Sequence, residues 1–246
     1  MTWLRSALFN VFFFVFSASY AALLLPLLVL PRRWLLEPIR LWAKLVIGAL
    51  RLLCGVRVRV TGREHLPAGG GPALIAAKHQ SAFDTVVWLW LLPEPAYVLK
   101  RELLDIPVWG WLARGSGMIA VDRLAGASAM RHLLKAGQAA AAEGRQMVIF
   151  PEGTRVPPGE SRPYQPGIAA LAAATGLPVI PVATDSGLLW GRRAFHKRPG
   201  TITVAALPPF PAGLRRDDLL RRLEEAIEPA TRELLGHRSA VDNSVD

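Results

Sequence analysis

Two side chains, His79 and Asp84, have the types and the spacing of a base and the carboxylate that orients it. They follow the apolar run Ala73 to Ala77, where we expect a buried strand to end and a helix to begin. On one continuous helix the two would lie about 140° apart. If Ser81 is the N-cap, Asp84 is the third helical residue and His79 lies in the loop, where they can meet. The spacing equally fits a helix cap beside a polar loop histidine.

A second polar turn, Pro151 to Arg155, follows the apolar run Val148 to Phe150. Gly153 allows close approach to the backbone, Thr154 supplies a hydroxyl, and Arg155 offers a forked cation that suits phosphate. An exposed turn with a surface arginine has the same pattern. The turn therefore predicts a phosphate contact only in combination with other cations.

Such cations follow two further predicted strands. Lys100 and Arg101 come after one, and Asp122 and Arg123 after another. The carboxyl ends of parallel strands meet at one edge of a sheet, where ligands bind. The three strand ends together therefore predict a site for an anionic headgroup, although each cation alone is typical of a solvated surface.

The elements that must position these residues alternate between short apolar runs and helical patterns. This alternation predicts an α/β fold with a mostly parallel sheet flanked by helices. We predict strands at 56–61, 73–77, 97–99, 118–121, 147–150, 179–182 and 202–204, and helices at 84–92, 127–143, 167–175 and 216 to about 235. The domain boundaries follow as 1–54 for a membrane-associated segment, 55–235 for the α/β domain and 236–246 for a polar tail.

The N-terminal segment is apolar from Ala7 to Leu30 apart from three small polar residues. Twenty-four helical residues reach roughly 36 Å, enough to cross a hydrocarbon core of about 30 Å. Residues 34–53 mix Trp and Leu with spaced cations, a pattern typical of an interfacial amphipathic helix. A full span and a re-entrant helix pair both fit. One arginine precedes the segment and five cations follow it, so the domain is predicted on the cytoplasmic face of the inner membrane.

The amino-acid composition indicates which kinds of molecule the protein binds. Lys and Arg number 29 against 19 Asp and Glu, a net charge of +10, while apolar residues make up 52 % of the chain. This balance favours an anionic membrane surface or a phosphorylated substrate. No nucleic-acid-binding signature is present, and nucleic acid is not predicted as a partner. The single cysteine, Cys54, excludes an internal disulfide.

Four motifs occur in the order found in the glycerolipid acyltransferases. They are His79-x4-Asp84, Gly117-x-Ile119-x-x-Asp122-Arg123, Phe150-Pro151-Glu152-Gly153-Thr154-Arg155 and Val179-Ile180-Pro181-Val182. Over about Val58 to Val204 the chain resembles bacterial 1-acyl-glycerol-3-phosphate acyltransferases, also called lysophosphatidic acid acyltransferases. The resemblance implies transfer of a fatty acyl chain from acyl-CoA or acyl carrier protein to the sn-2 hydroxyl of a membrane lysophosphatidate, forming phosphatidate. It implies no metal, no cofactor and no acyl-enzyme intermediate.

The same resemblance assigns roles to the matching residues. His79 would be the general base and Asp84 its orienting carboxylate. The acceptor phosphate would be bound or enclosed by Lys100, Arg123, Glu152, Gly153, Thr154 and Arg155. The acyl-chain groove would be lined by Val179, Ile180, Pro181 and Val182.

The sequence departs from the common family pattern at three positions. Lys78 stands where Asn often precedes the histidine, Gln165 where Lys often precedes a glycine, and Asp185 where Asn is frequent. The last two leave the acceptor headgroup open to another lysolipid. A non-catalytic membrane protein that binds anionic lipid is the alternative from another class. A Ser–His–Asp hydrolase is disfavoured because the sequence contains no Gly-x-Ser-x-Gly elbow.

Overall fold

A computed structural model describes residues 2–67 and 69–242 as one seven-stranded sheet with helices on both faces. The strands are β1 (Val56–Thr61), β2 (Ala73–Ala77), β3 (Pro95–Lys100), β4 (Ile119–Val121), β5 (Gln146–Ile149), β6 (Val179–Thr184) and β7 (Gly200–Ala206). The helices are α1 (Thr2–Leu23), α2 (Arg32–Cys54), α3 (Asp84–Leu91), α4 (Trp109–Gly115), α5 (Gly126–Ala142), α6 (Gly167–Thr175), α7 (Ser186–Leu189) and α8 (Arg216–Asp242). Short 3₁₀ turns occupy Leu25–Val29, Arg63–His65, Arg101–Asp105 and Arg123–Ala125.

The sheet order is β1-β7-β6-β2-β5-β3-β4, and every neighbouring pair is parallel except β6 and β7. The predicted α/β fold with a mostly parallel sheet is therefore confirmed. Five strands, from β6 to β4 in that order, run in one direction and bring their carboxyl ends to one edge. The segments that follow these strands form that edge of the molecule.

The core lies on both faces of the sheet, because alternate side chains of each strand point to opposite sides. Ile75 of β2 joins a cluster that includes Val46 of α2 and Trp88 of α3. Its neighbour Leu74 joins a second cluster, with Leu133 of α5, Ile168 of α6 and Leu223 of α8. Burial on both faces explains why the central strands read as apolar runs in the sequence.

The N-terminal segment is a helical hairpin, the shape of the helix pair that the sequence left open beside a full span, and its first helix ends before the apolar run 7–30 does. Helix α1 ends at Leu23, and the 3₁₀ turn with Pro26 and then Pro31 reverse the chain before α2. The two helices are joined by hydrogen bonds from Trp42 Nε1 to Ser17 Oγ and from the Tyr20 hydroxyl to the Pro38 carbonyl, both 3.1 Å. By length and composition, α1 could cross a membrane.

The hairpin also packs along the α/β domain. The Ser6 hydroxyl of α1 accepts the Lys197 backbone N–H at 2.9 Å, and Phe9 lies edge-on to Trp190 with 5.3 Å between ring centroids. At the other end of α1, Leu24 packs with Leu112 of α4. The outward side of the hairpin is apolar and exposed, with Trp3, Leu4, Leu8, Val11, Phe14, Val15, Trp34, Leu41, Leu45 and Leu52.

Two helical features differ from the predictions. Helix α4 and the 3₁₀ turn before it were not predicted, because their seven and five residues are too short to show a helical period. Helix α8 continues beyond the predicted end near Leu235 to Asp242, so it includes the beginning of the predicted polar tail. Residues 243–246 of that tail lie outside the described residues.

Candidate active site

His79 and Asp84 meet at the carboxyl end of the central strand β2. His79 lies two residues beyond this strand, and Asp84 is the first residue of α3. His79 Nδ1 lies 3.0 Å from Asp84 Oδ2. The same oxygen accepts the backbone N–H groups of Gln80 at 2.7 Å and Ser81 at 2.8 Å. Because a carboxylate only accepts, the neutral form of this imidazole carries its proton on Nδ1 and has its lone pair on Nε2.

The helix start differs from the predicted N-cap. Phe83 occupies the N-cap position, and Ser81 Oγ instead accepts the backbone N–H of Phe83 at 3.0 Å, before the helix. Asp84 still reaches back three residues to the Ser81 N–H, as the acidic residue of a capping box does. One carboxylate therefore stabilises the helix entry and orients the imidazole, so the two sequence interpretations of this motif are compatible.

The imidazole is also held from its face. The rings of His79 and Phe150 stack with 4.0 Å between centroids and 17° between planes. The side chain of His79 keeps 11 % of its surface exposed. Phe150 directly follows β5, the neighbour of β2, so the strand order positions this contact. The sequence motif contains Phe150, but its contact with His79 was not predicted.

A phenol lies behind this stack. Tyr97 of β3 lies 6.3 Å from Phe150 between ring centroids, and its hydroxyl donates to the Thr85 carbonyl at 2.9 Å. Burial, with a contribution from the Asp84 charge, raises the pKa of Tyr97 well above its ordinary value. The phenol therefore stays neutral and serves as a donor that fixes the beginning of α3.

Lys78, which precedes the base, is fully buried between two carboxylates. Its ammonium donates to Glu152 Oε1 at 2.7 Å and to both carboxylate oxygens of Glu228 at 2.8 and 2.9 Å. It also donates to the Glu160 carbonyl at 3.2 Å. Burial raises the pKa of Glu152, the Lys78 ammonium opposes that shift, and the Glu228 charge adds to it. From the sequence, Lys78 was identified only as a departure from the family pattern, and its buried ion pairs were not predicted.

Glu152, predicted at the phosphate pocket, thus faces the interior. Its side chain is 1 % exposed, and its second oxygen lies 3.4 Å from the His79 backbone N–H. The turn continues through Gly153, whose φ of 69° suits glycine, and through half-buried Thr154 and Arg155. Val156 N–H then donates to the His79 carbonyl at 2.8 Å. The turn is therefore attached to the base segment at both of its ends.

The predicted phosphate cations lie at the same edge of the sheet. Lys100 is the exposed last residue of β3, and the strand register places it level with Lys78, two strands away. Two strand spacings correspond to about 10 Å. The backbone of Arg123 begins a 3₁₀ turn after β4, and its side chain lies outside the described residues. The phosphate-binding roles of Lys100, Arg123 and Arg155 stay predictions.

The predicted acyl groove residues form β6, which is buried throughout. Val179 belongs to the cluster on the α5 face, whereas Ile180 and Val182 belong to the cluster on the α3 face. Because strand side chains alternate, only alternate residues can line one groove. The groove-lining role of Val179, Ile180, Pro181 and Val182 stays a prediction, and it can apply to only two of the four residues on any one face of the sheet.

Two further departures from the family pattern have clear positions. Asp185 is buried after β6, and its Oδ1 accepts the Thr203 backbone N–H of β7 at 2.6 Å. Gln165 is exposed, and its backbone N–H donates to the Pro151 carbonyl at 2.8 Å. Asp185 therefore stabilises the sheet, and Gln165 stabilises the turn beside the base.

The arrangement suits deprotonation of a hydroxyl. With Nδ1 engaged by Asp84, Nε2 is the atom that can accept a proton, and the carboxylate stabilises the resulting imidazolium. The base lies at the edge where five strand ends deliver polar residues. A hydroxyl on a substrate can supply the nucleophile.

Comparisons with known proteins agree with this geometry. The family profile named Acyltransferase matches residues 57–185, just over half of the chain. The chain is 34 % identical over 204 residues to a 1-acyl-sn-glycerol-3-phosphate acyltransferase from Pseudomonas aeruginosa, covering 83 % of this chain and 79 % of that protein. A protein with the same name from Limnanthes alba is 30 % identical over 208 residues, covering 82 % and 72 %.

The fold also matches a solved structure. The crystal structure of the 1-acyl-sn-glycerophosphate (LPA) acyltransferase PlsC from Thermotoga maritima superimposes with a TM-score of 0.77 at 24 % identity. The match covers 95 % of this chain and 98 % of that one, so it includes the N-terminal hairpin region as well as the α/β domain.

Proposed function

Because this chain belongs to the acyltransferase family, we propose that it transfers a fatty acyl chain from a thioester donor to the sn-2 hydroxyl of 1-acyl-glycerol-3-phosphate. The product is phosphatidate. The observation that carries the proposal is the His79–Asp84 pair at the sheet edge, with a 3.0 Å contact that leaves Nε2 free. The names of the relatives from Pseudomonas aeruginosa and Limnanthes alba support the choice of acceptor.

The proposed reaction is a direct transfer in which His79 moves one proton. Nε2 of His79 takes the proton of the acceptor hydroxyl as its oxygen attacks the thioester carbonyl carbon. The tetrahedral adduct then collapses, the carbon–sulfur bond breaks, and the imidazolium returns its proton to the thiolate. Asp84 stabilises the imidazolium between these two steps. No acyl-enzyme, metal or cofactor takes part in this scheme.

Positively charged side chains at the sheet edge can bind the phosphate of the acceptor. In this proposal Lys100, Arg123 and Arg155 bind the phosphate, and Gly153 and Thr154 shape the turn that approaches it. Guanidinium groups suit phosphate because they donate two parallel hydrogen bonds. The donor is acyl-CoA or acyl carrier protein, and both are anionic partners for a chain of net charge +10.

The hairpin keeps the site at the membrane. We propose that it embeds in one leaflet on the cytoplasmic face of the inner membrane. Both ends of α1 contact the α/β domain. Ser6 accepts the Lys197 backbone N–H at one end, and Leu24 packs with Leu112 at the other. These two contacts favour a helix lying along the membrane surface. Extracting a lysolipid into water would cost about 0.8 kcal/mol per buried CH₂, so a site at headgroup depth avoids that step.

The test follows thiol release with purified protein in lipid micelles. The substrates are 1-acyl-glycerol-3-phosphate and an acyl-CoA, and His79→Ala is compared with the wild type. Loss of a general base predicts a rate at least about 10²-fold slower. His132→Ala, which removes an exposed histidine on α5, is the matched control and should retain wild-type activity.

Two outcomes would contradict the proposal. An active His79→Ala variant would remove the base from the mechanism. Equal activity on the acceptor and on its dephosphorylated form would show that the phosphate is not recognised, and a panel of lysolipids would then identify the acceptor.

A further inference from the structure

Three separate parts of the chain meet at the ammonium of Lys78, next to the base. Glu152 comes from the turn after β5, the Glu160 carbonyl from the following loop, and Glu228 from α8, 150 residues away in sequence. The side chains of Lys78 and Glu152 are 0 % and 1 % exposed, so water does not screen their charges. This buried group of charges lies directly behind the catalytic segment.

We propose that Lys78 is a positioning residue for acyl transfer, held in place by Glu228 and acting on His79 through Glu152. The proposal rests on the proposed function, since it assigns a role within that reaction. Lys78 touches no reacting atom. It fixes the turn that holds the backbone and the ring of His79.

The contacts define how the effect reaches the base. Glu152 uses one oxygen for the ammonium and presents the other to the His79 backbone N–H at 3.4 Å. Phe150, two residues before Glu152, stacks on the His79 imidazole. Without the ammonium, Glu152 would be a buried carboxylate that faces the Glu228 carboxylate, and repulsion would displace it while both are charged. That displacement disturbs the backbone that carries Phe150 and faces His79.

Helix α8 supplies the counter-charge and its support. The Tyr164 hydroxyl donates to Glu228 at 2.8 Å, and its backbone N–H donates to Glu224 at 3.1 Å. Burial and the Glu228 charge raise the pKa of Tyr164, so the phenol remains a donor. With one ammonium and two carboxylates, the group has a net charge of −1. Removing Lys78 would leave two carboxylates facing each other, whereas removing Glu228 would leave a neutral pair.

This charge balance gives a double-mutant test. We compare Lys78→Asn, Glu228→Gln and the double variant with the wild type. Glu225→Gln is the control, because Glu225 is an exposed carboxylate on the same helix that pairs with Arg221. The readouts are kcat and KM for 1-acyl-glycerol-3-phosphate, with circular dichroism to confirm folding.

The expected effects lie in kcat. Lys78→Asn should lower kcat by about 30-fold and change KM by less than about 3-fold, since the phosphate cations are untouched. Glu228→Gln should cost less than about 3-fold, because the Lys78–Glu152 pair remains. The double variant should be about 5-fold more active than Lys78→Asn, because the second carboxylate is gone. Glu225→Gln should match the wild type.

The pH profile separates positioning from general destabilisation. Glu152 faces Lys78 and Glu228, with Tyr164 and Glu224 beside them, and its folded pKa is already raised. Losing the ammonium raises that pKa further, so a falling pH protonates Glu152 at a higher pH in Lys78→Asn than in the wild type and relieves its repulsion by Glu228. The ratio of mutant to wild-type kcat should therefore rise towards one as the pH falls.

Several results would overturn the inference. These are a wild-type kcat in Lys78→Asn, a loss confined to KM, a ratio of kcat values that does not change with pH, and a double variant that equals the product of the singles. If Lys78→Asn does not fold, the double variant decides, since a wild-type kcat there refutes the role. An inactive wild type would refute the proposed function itself, whereas an active wild type with any of these results refutes the positioning role alone.

Discussion

Replacing Asp84 by Asn separates the two tasks that its carboxylate performs. One oxygen of Asp84 accepts His79 Nδ1 and the backbone N–H groups of Gln80 and Ser81, all within 3.0 Å. The amide oxygen of Asn can still accept these three donors, but it has no charge to stabilise the imidazolium. The helix entry should therefore survive, while the orienting carboxylate is lost.

The magnitudes for Asp84→Asn follow from these contacts. Hydrogen bonds to charged groups contribute about 1.5–3 kcal/mol and neutral ones about 0.5–1.5, so we expect the free energy of unfolding to fall by about 1–1.5 kcal/mol for each of the three bonds. The loss in kcat should be about 10²- to 10⁴-fold, the range of general-base catalysis. Asp84→Ala should lose similar activity and about 2–6 kcal/mol, since two backbone N–H groups lose their acceptor at about 1–3 kcal/mol each.

The assay combines urea unfolding with thiol release at saturating acceptor. Asp218→Asn, an exposed carboxylate of α8 near Arg221, controls for loss of a negative charge. A folded Asp84→Asn enzyme with at least about one third of the wild-type kcat would refute the reasoning, because orienting the base predicts a loss of at least about 10²-fold. Asp84 would then be a helix cap only.

Two other substitutions test the stack on the base and the close approach of β1 to β7. Phe150→Ala removes the ring whose centroid lies 4.0 Å from that of His79, and it should lower kcat by up to about 10-fold because an aromatic pair contributes about 0.5–1.5 kcal/mol. Phe150→Leu keeps a large apolar surface and should lose less activity. If both variants are as active as the wild type, the stack has no role. Gly62→Ala should destabilise the protein by more than about 2 kcal/mol, because its φ is +65° and a Cβ would lie 1.9 Å from the Ala206 carbonyl oxygen. Gly176→Ala is the control, because Gly176 has the same φ of +65° and no atom lies within 4 Å of the added Cβ. If the urea midpoint falls equally in Gly62→Ala and Gly176→Ala, the clash with Ala206 has no effect.

The centre of the sheet was predictable because strands β2, β5 and β6 are buried on both faces. Runs such as Ala73 to Ala77 and Val179 to Val182 are apolar throughout and too short for helices, so composition and length alone identify them. Helix α4 was not predictable in this way, since its seven residues include two glycines and follow Pro107. The helix pair was one of two arrangements that the sequence allowed, but the position of its turn after Leu23 was not predicted, because the apolar composition continues through the turn to Leu30.

The contact between His79 and Asp84 was predictable, whereas the contacts that support it were not. His79 and Asp84 are five residues apart, so helix-entry geometry relates them directly. Lys78 and Glu228 are 150 residues apart, and no spacing rule brings α8 to the end of β2. The contact between His79 and Phe150 requires that β5 lies next to β2. The alternation of strands and helices along the sequence does not determine the order of the strands in the sheet.

The place of β1 in the sheet has a consequence for how the chain is synthesised. Within the described residues, β1 pairs with β7 alone, and the paired residues Val56 and Gly200 are separated by most of the chain. At about 5–20 residues per second, a ribosome needs roughly 7 to 30 s to make that intervening chain. During this interval β1 has no strand partner, and Phe9 of the hairpin likewise waits for Trp190. A nascent chain whose hairpin already rests in the bilayer would keep β1 near the membrane, away from other unpaired strands, until β7 arrives.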